Sequence, residues 1–217
     1  MTSEFPGTTA DNSLHLDQVS LSLMDQELLS LHKSIAPGDV FTVMGPSGSG
    51  KSSLLAFIAG FLDPVFRASG RVLLGSKDLT GLPAEQRQVG LLFQDPLLFP
   101  HLSVAGNLAF GIPAARREEK HRLIKEGLES FGLGGLAERD PATLSGGQKA
   151  RVALLRLLLS EPRAVLLDEP FNKLDASLRR DLRAQVFERL RASGLPVILV
   201  THDQEDADAA GGDVLSL

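Results

Sequence analysis

No cysteine, tryptophan or tyrosine occurs anywhere in the 217 residues. Without cysteine there is no disulfide scaffold and no thiolate metal site, which suits a reducing compartment. No apolar run reaches the roughly 18 residues that cross a bilayer, so any membrane role has to run through a partner. No long block of like charges is present, and the formal net charge is only −5 at pH 7. That balance argues against a surface that coats nucleic acid, and none is expected as a partner. The polar residues 1–13 lack the basic-then-apolar pattern of a signal peptide and read as a flexible tail ahead of a domain over 14–217.

What is present is a foldable chain, 43% apolar and long enough for one domain with a subdomain. Leu14, Leu16, Val19, Leu21 and Leu23 alternate as in a half-buried strand running to Met24. A second strand pattern covers 28–35, and Pro37-Gly38-Asp39 makes a turn. Val40 to Met44 is short and apolar, as in a buried strand. A helix is expected from Lys51, with Leu54, Leu55, Ile58 and Ala59 on one side. Further strands are expected at 71–74, 89–93, 164–167, 197–200 and 214–217. The stripe Leu178, Leu182, Val186 and Leu190 marks a helix ending near Gly194. Between Asp95 and Pro141 no strand stands out. A charged helix over 114–131 and a Gly-rich 132–135 indicate a helical subdomain at about 95–160. Strands alternating with helices imply a parallel sheet with crossovers.

Two segments carry phosphate chemistry. Gly45-Pro46-Ser47-Gly48-Ser49-Gly50-Lys51-Ser52 fits G-x-x-x-x-G-K-[ST] between a strand and a helix. Its glycines let the backbone fold tightly, so that amides from Gly45 to Ser53 point at phosphate oxygens. Lys51 can reach the β- and γ-phosphates, and the Ser52 hydroxyl can ligate Mg²⁺. Read alone, the segment is also compatible with an ordinary Gly/Ser turn. The second segment is the apolar strand that ends in Asp168-Glu169-Pro170. Asp168 is placed to hold Mg²⁺ and Glu169 to polarise an attacking water, although a strand leaving into a polar turn would look alike.

A third segment, Leu144-Ser145-Gly146-Gly147-Gln148, has capping-box form at the start of a helix carrying Val152, Leu155 and Leu159. Two glycines in a first turn are costly for a helix. They make sense where a phosphate has to approach the backbone closely. With this segment the chain resembles the ATPase subunits of bacterial ABC transporters, over about 14–217. The resemblance implies an α/β fold: a P-loop NTPase core with a mainly parallel sheet, an N-terminal antiparallel β-subdomain and an inserted α-helical subdomain. It implies ATP and Mg²⁺ as cofactors. Two nucleotides would lie between paired subunits, identical or similar, with Ser145, Gly146, Gly147 and Gln148 facing the ATP of the partner. It further implies that Gln94 contacts Mg²⁺ and senses the membrane partner, that His202 is the switch histidine, and that Asp175 crosses the dimer interface.

The run from Phe93 to Val104 is similar to importer ATPases of the thiamine, iron and polyamine type. Residues near Leu97 to Leu102 would then line the groove for a coupling helix, unless the loop packs internally. The expected partners are transmembrane permease subunits and a solute-binding protein, with the chain peripheral on the cytoplasmic face of the inner membrane. Two departures stand out. The aromatic that usually stacks on adenine is replaced near Leu23 to Gln26 by Leu and Met. The interface loop reads Asn-Lys-Leu-Asp where Ser-Ala-Leu-Asp is common. A C-terminal regulatory domain, carried by some importer ATPases, is expected to be absent. Rival readings are a soluble ABC ATPase of DNA repair or translation, a binding module without catalysis, and a small-molecule kinase.

Overall fold

The computed structural model describes residues 12–24, 26–172 and 176–217. The alternation at the N-terminus becomes β1 (Leu14–Leu23), paired antiparallel with β2 (Gln26–Ile35) and with β4 (Phe66–Leu74). β5 (Lys77–Asp78) completes a four-stranded antiparallel sheet of order β2-β1-β4-β5. β2 and β4 both begin earlier than the sequence suggests. Their first residues are half-buried or exposed, so the apolar pattern starts late while the ladder with β1 already runs.

A second sheet of five strands has the order β6-β7-β8-β3-β9, and its recorded pairings are all parallel. Its strands are β3 (Val40–Met44), β6 (Val89–Leu92), β7 (Ala164–Asp168), β8 (Val197–Thr201) and β9 (Asp213–Ser216). Both faces are covered, which explains why β7 and β8 read as unbroken apolar runs. Ala164, Leu166, Ile198 and Val200 pack towards the antiparallel sheet and α1 (Lys51–Ala59). Val165, Leu167, Val197 and Leu199 face a second core built with the helices. One strand therefore feeds two cores at period two.

The helices between 95 and 160 are α3 (Val104–Gly111), α4 (Lys120–Ser130) and α5 (Gly146–Leu159). The single charged helix expected over 114–131 is divided. Ala114–Glu119 is a 3₁₀ segment, and the α-helix starts at Lys120. Pro113 enters it in near-extended geometry, and Arg116 bonds Glu119 three residues on, the spacing that a 3₁₀ turn stacks. The remaining helices are α2 (Ala84–Arg87), α6 (Ala176–Ala192) and α7 (Gln204–Ala210). The phosphate loop follows β3, the acid pair straddles the end of β7 and His202 follows β8. All three thus lie at the C-terminal lip of adjacent parallel strands, where such sheets bind ligands.

Candidate active site

The phosphate loop has the geometry that its glycines require. Gly48 and Gly50 adopt φ of +86° and +91°, a region that other residues enter only with strain. A Cβ on Gly50 would also meet Leu28 Cβ at 3.1 Å, so the β1–β2 hairpin lies against the loop. Gly50 caps α1 without a side-chain hydrogen bond, and no acidic residue lies in the first turn. The first amides of a helix have no intrahelical partner, so this N-terminus is open to an anion. The Ser49 hydroxyl is buried and has no hydrogen-bond partner. Lys51 is 5% exposed, and its Nζ donates to Gly45 O and Pro46 O, both at 2.8 Å. An ammonium beside amides without intrahelical partners is a donor set that could bind a phosphate. Pro46 and Ser47 are exposed at the loop's outer edge.

Ser52 Oγ donates to Asp168 Oδ1 at 3.0 Å, which joins the two phosphate motifs directly. Burial pushes the Asp168 carboxyl above its ordinary range, and the charge of Glu169 pushes it further; the Ser52 hydroxyl and Lys51 act in the opposite sense. A cation between Ser52 and Asp168 would relieve that cost. Among the described residues no cluster of three His, Cys, Asp or Glu side chains could hold a metal alone. Mg²⁺ takes one or two carboxylates and completes its shell with phosphate and water, and the Ser52 hydroxyl beside the Asp168 carboxyl is a donor pair of that kind.

Glu169 has a φ of +44°, the left-handed region, which costs a non-glycine residue about 1–2 kcal/mol. The turn aims its side chain at His202, whose Nδ1 lies 3.2 Å from Glu169 Oε1. The backbone is pinned by Glu169 N donating to Val200 O at 2.9 Å. Gln94 sits exposed just beyond β6, next to β7 on the same lip. No hydrogen bond joins it to Ser52 or Asp168 among the described residues. The Asp175 assignment lies outside the described residues.

Ser145 and Gln148 form the expected capping box at the start of α5. Gln148 N donates to Ser145 Oγ at 3.3 Å, and Ser145 N donates to Gln148 Oε1 at 2.9 Å. Ser145 and Gly146 are exposed, and no hydrogen bond joins 145–148 to the phosphate loop or acid pair among the described residues. Ser145→Ala is expected to lower stability by about 1 kcal/mol, the usual worth of an N-cap, in denaturant unfolding.

The family model described as "ABC transporter" matches residues 28–172, which contain the phosphate loop, the 145–148 segment and the acid pair. The chain belongs to the ABC transporter family. It is an ATP-binding ATPase of that family. It is 46% identical over 198 residues to the Escherichia coli (strain K12) protein described as "Uncharacterized ABC transporter ATP-binding protein YnjD", covering 90% of this chain and 91% of that one. To the "Fe(3+) ions import ATP-binding protein FbpC" of Brucella abortus (strain 2308) it is 43% identical over 190 residues. The match covers 87% of this chain but 53% of that protein, so the chain spans about half the length of this relative. Among solved structures, CbiO1 of Clostridium perfringens, described as part of the ABC transporter complex CbiONQ, superposes with a TM-score of 0.78 at 27% identity. That superposition covers 95% of this chain and 84% of that one.

Two groups around this ABC ATPase's site were not legible in the sequence. One is a buried polar network behind His202. Arg183 donates through Nε to Asp206 Oδ1 at 2.7 Å, and Thr201 Oγ1 donates to Asp206 Oδ2 at 2.9 Å. Asp203 N donates to Thr201 Oγ1 at 3.0 Å, so the network fixes the backbone on both sides of His202. Removing one member of a buried ion pair typically costs about 3–5 kcal/mol. Asp206→Leu is therefore expected to lower the unfolding free energy by about that much, read as a fall in urea midpoint. The other group is Asn172, whose Nδ2 donates to Glu169 Oε2 at 2.8 Å.

The hairpin turn at the adenine end carries Met24, 74% exposed with φ of +55°. Leu23 is half-buried, directly across from Phe66 on β4. Beside β6, between it and the helical region, a cleft of about 270 Å³ is lined by Phe93, Pro96, Phe99, Phe110 and Arg156, among others. Leu97 and Phe110 are 56% and 70% exposed. Leu98, by contrast, packs on the core, so the loop from Leu97 to Leu102 is part packed and part presented.

Proposed function

We propose that residues 14–217 form one ATPase domain that closes on ATP as a pair and drives solute movement, in the import direction, through separate permease subunits. The observation that carries this reading is the Glu169–His202 contact beside the Ser52–Asp168 contact, on one lip of the sheet. Phosphoryl transfer needs positioning and charge stabilisation more than covalent chemistry. Lys51, together with the amides from Gly45 to Ser53, binds and orients the phosphates. Ser52 and Asp168, with Gln94, would hold Mg²⁺, which when bound neutralises charge on the phosphate oxygens. Glu169 accepts a proton from the water as the water oxygen attacks the γ-phosphorus in line, while the bond from that phosphorus to the β–γ bridging oxygen breaks and ADP leaves with its electron pair. His202 contacts the γ-phosphate.

Ser145 and Gly146 lie exposed, and among the described residues no hydrogen bond joins 145–148 to their own phosphate loop, which supports service to a second subunit's nucleotide, with Asp175 crossing between the two. The exposed Leu97 and Phe110 beside the 270 Å³ cleft support docking of a permease helix there. No described helix is long and apolar enough to cross a membrane. We propose a peripheral subunit on the cytoplasmic face of the inner membrane, with a solute-binding protein delivering cargo, on the similarity to ATP-binding subunits of importers. The importer direction rests on the similarity to proteins named as Fe(3+) importers; the cargo does not touch this subunit, so its residues need not encode it. Uptake by cells carrying Phe110→Asp tests the docking: uptake should fall while phosphate release by the isolated chain is unchanged. Unaltered uptake removes this surface from the proposal.

The base end of the site gives a separate expectation. Leu23 and Met24 offer apolar contact without ring stacking, which forfeits about 1 kcal/mol. ATP and GTP should compete almost equally for a fluorescent nucleotide analogue bound to the chain. A strong ATP preference at low micromolar affinity would count against it.

A further inference from the structure

Both oxygens of Glu169 are engaged, and each contact comes from a different loop. Oε1 faces His202 Nδ1 at 3.2 Å, and Oε2 accepts from Asn172 Nδ2 at 2.8 Å. Residues 169–172 close a tight turn, in which Asn172 N donates to Glu169 O at 3.2 Å, and this brings the Asn172 amide back over the carboxylate. The turn is anchored from α6. Arg179 Nη2 donates to Asn172 O at 3.4 Å, while Arg179 Nη1 donates to Asp203 Oδ2 at 3.2 Å. One guanidinium therefore ties together the two loops that hold the carboxylate. The Glu169 side chain is only 16% exposed, so its orientation is set by these contacts more than by water. A carboxylate has about four lone-pair positions, so the Asn172 bond and the His202 contact leave free sites for water.

We infer that Asn172 is a positioning residue for Glu169: its side-chain amide fixes the plane of the carboxylate, so that a free lone pair meets the attacking water. This rests on the proposed role of Glu169 in hydrolysis. The amide suits the task because it donates to a carboxylate without carrying charge. A serine, common in related interface loops, reaches less far, and an aspartate would present like charge.

The test is steady-state phosphate release from ATP by the purified chain and by Asn172→Leu and Asn172→Asp, with Glu169→Gln as the inactive reference. Leu removes the donor at similar volume, and kcat should fall about tenfold, the worth of one hydrogen bond to a charged group. Asp keeps the shape and turn preference but sets charge against charge, and kcat should fall further than in Leu. KM for ATP should stay within about twofold in both, since neither change touches the phosphate loop. A purely turn-forming role predicts the opposite order, Asp near wild type and Leu worst; that order, or wild-type kcat in both variants with Glu169→Gln inactive, overturns the inference and leaves the role of Glu169 standing. Full turnover in Glu169→Gln overturns that role and this inference with it.

Discussion

Glu169→Gln should reduce steady-state phosphate release by at least about a hundredfold, since a positioned general base contributes roughly 10²–10⁴ in rate. Glutamine keeps the volume and can still accept from Asn172, so the turn at 169–172 should persist. It cannot take a proton from water. Binding should survive, because Lys51 and the open amides of α1 are untouched. The change even removes a charge that pushes the Asp168 carboxyl up, which favours its ionised, cation-holding form. ATP should then stay bound, and gel filtration with ATP should show a trapped dimer. A variant that releases phosphate at the wild-type rate would remove Glu169 from the mechanism.

The second large effect belongs to Lys51. In Lys51→Ala the loop loses the ammonium that bridges Gly45 O and Pro46 O, and the phosphate loop loses a buried cation. Each charge-assisted hydrogen bond is worth about 1.5–3 kcal/mol. Affinity for ATP should therefore fall by roughly ten- to a hundredfold, as read by titration with a fluorescent nucleotide. Hydrolysis should fall at least as far. The two variants separate the roles: Glu169→Gln binds without turning over, and Lys51→Ala does neither. Unchanged affinity in Lys51→Ala would mean that the loop amides alone hold the phosphates.

The phosphate end of the site was legible because local sequence dictates it. Gly48 and Gly50 are needed for positive φ, Lys51 and Ser52 follow at fixed offsets, and the buried strands before the loop and acid pair are continuous apolar runs. The capping box at Ser145 and Gln148 was equally local. Contacts that join distant segments were not legible. Nothing local marks Arg183 and Asp206, yet they form a buried pair, because the topology packs α6 against α7 behind β8. The short α7 escaped notice since Gln204 to Ala210 carries only alanine as apolar surface. The helix Val104–Gly111 escaped because glycines at 106 and 111 mask its period. Its Asn107, which looks like a surface residue, is buried and bonds Phe99 and Leu102. Asn172 lies three residues from Glu169, but its role depends on the left-handed φ of Glu169, which no composition rule foretells.

The central claim is that hydrolysis needs the phosphate loop and acid pair of one subunit with the Ser145–Gln148 segment of another. It is tested most directly by phosphate release per subunit as a function of protein concentration at saturating ATP. The account predicts a rate per subunit that rises with concentration and then levels off as pairs form. A rate per subunit that is constant from the most dilute sample upward, or is zero throughout, would contradict it.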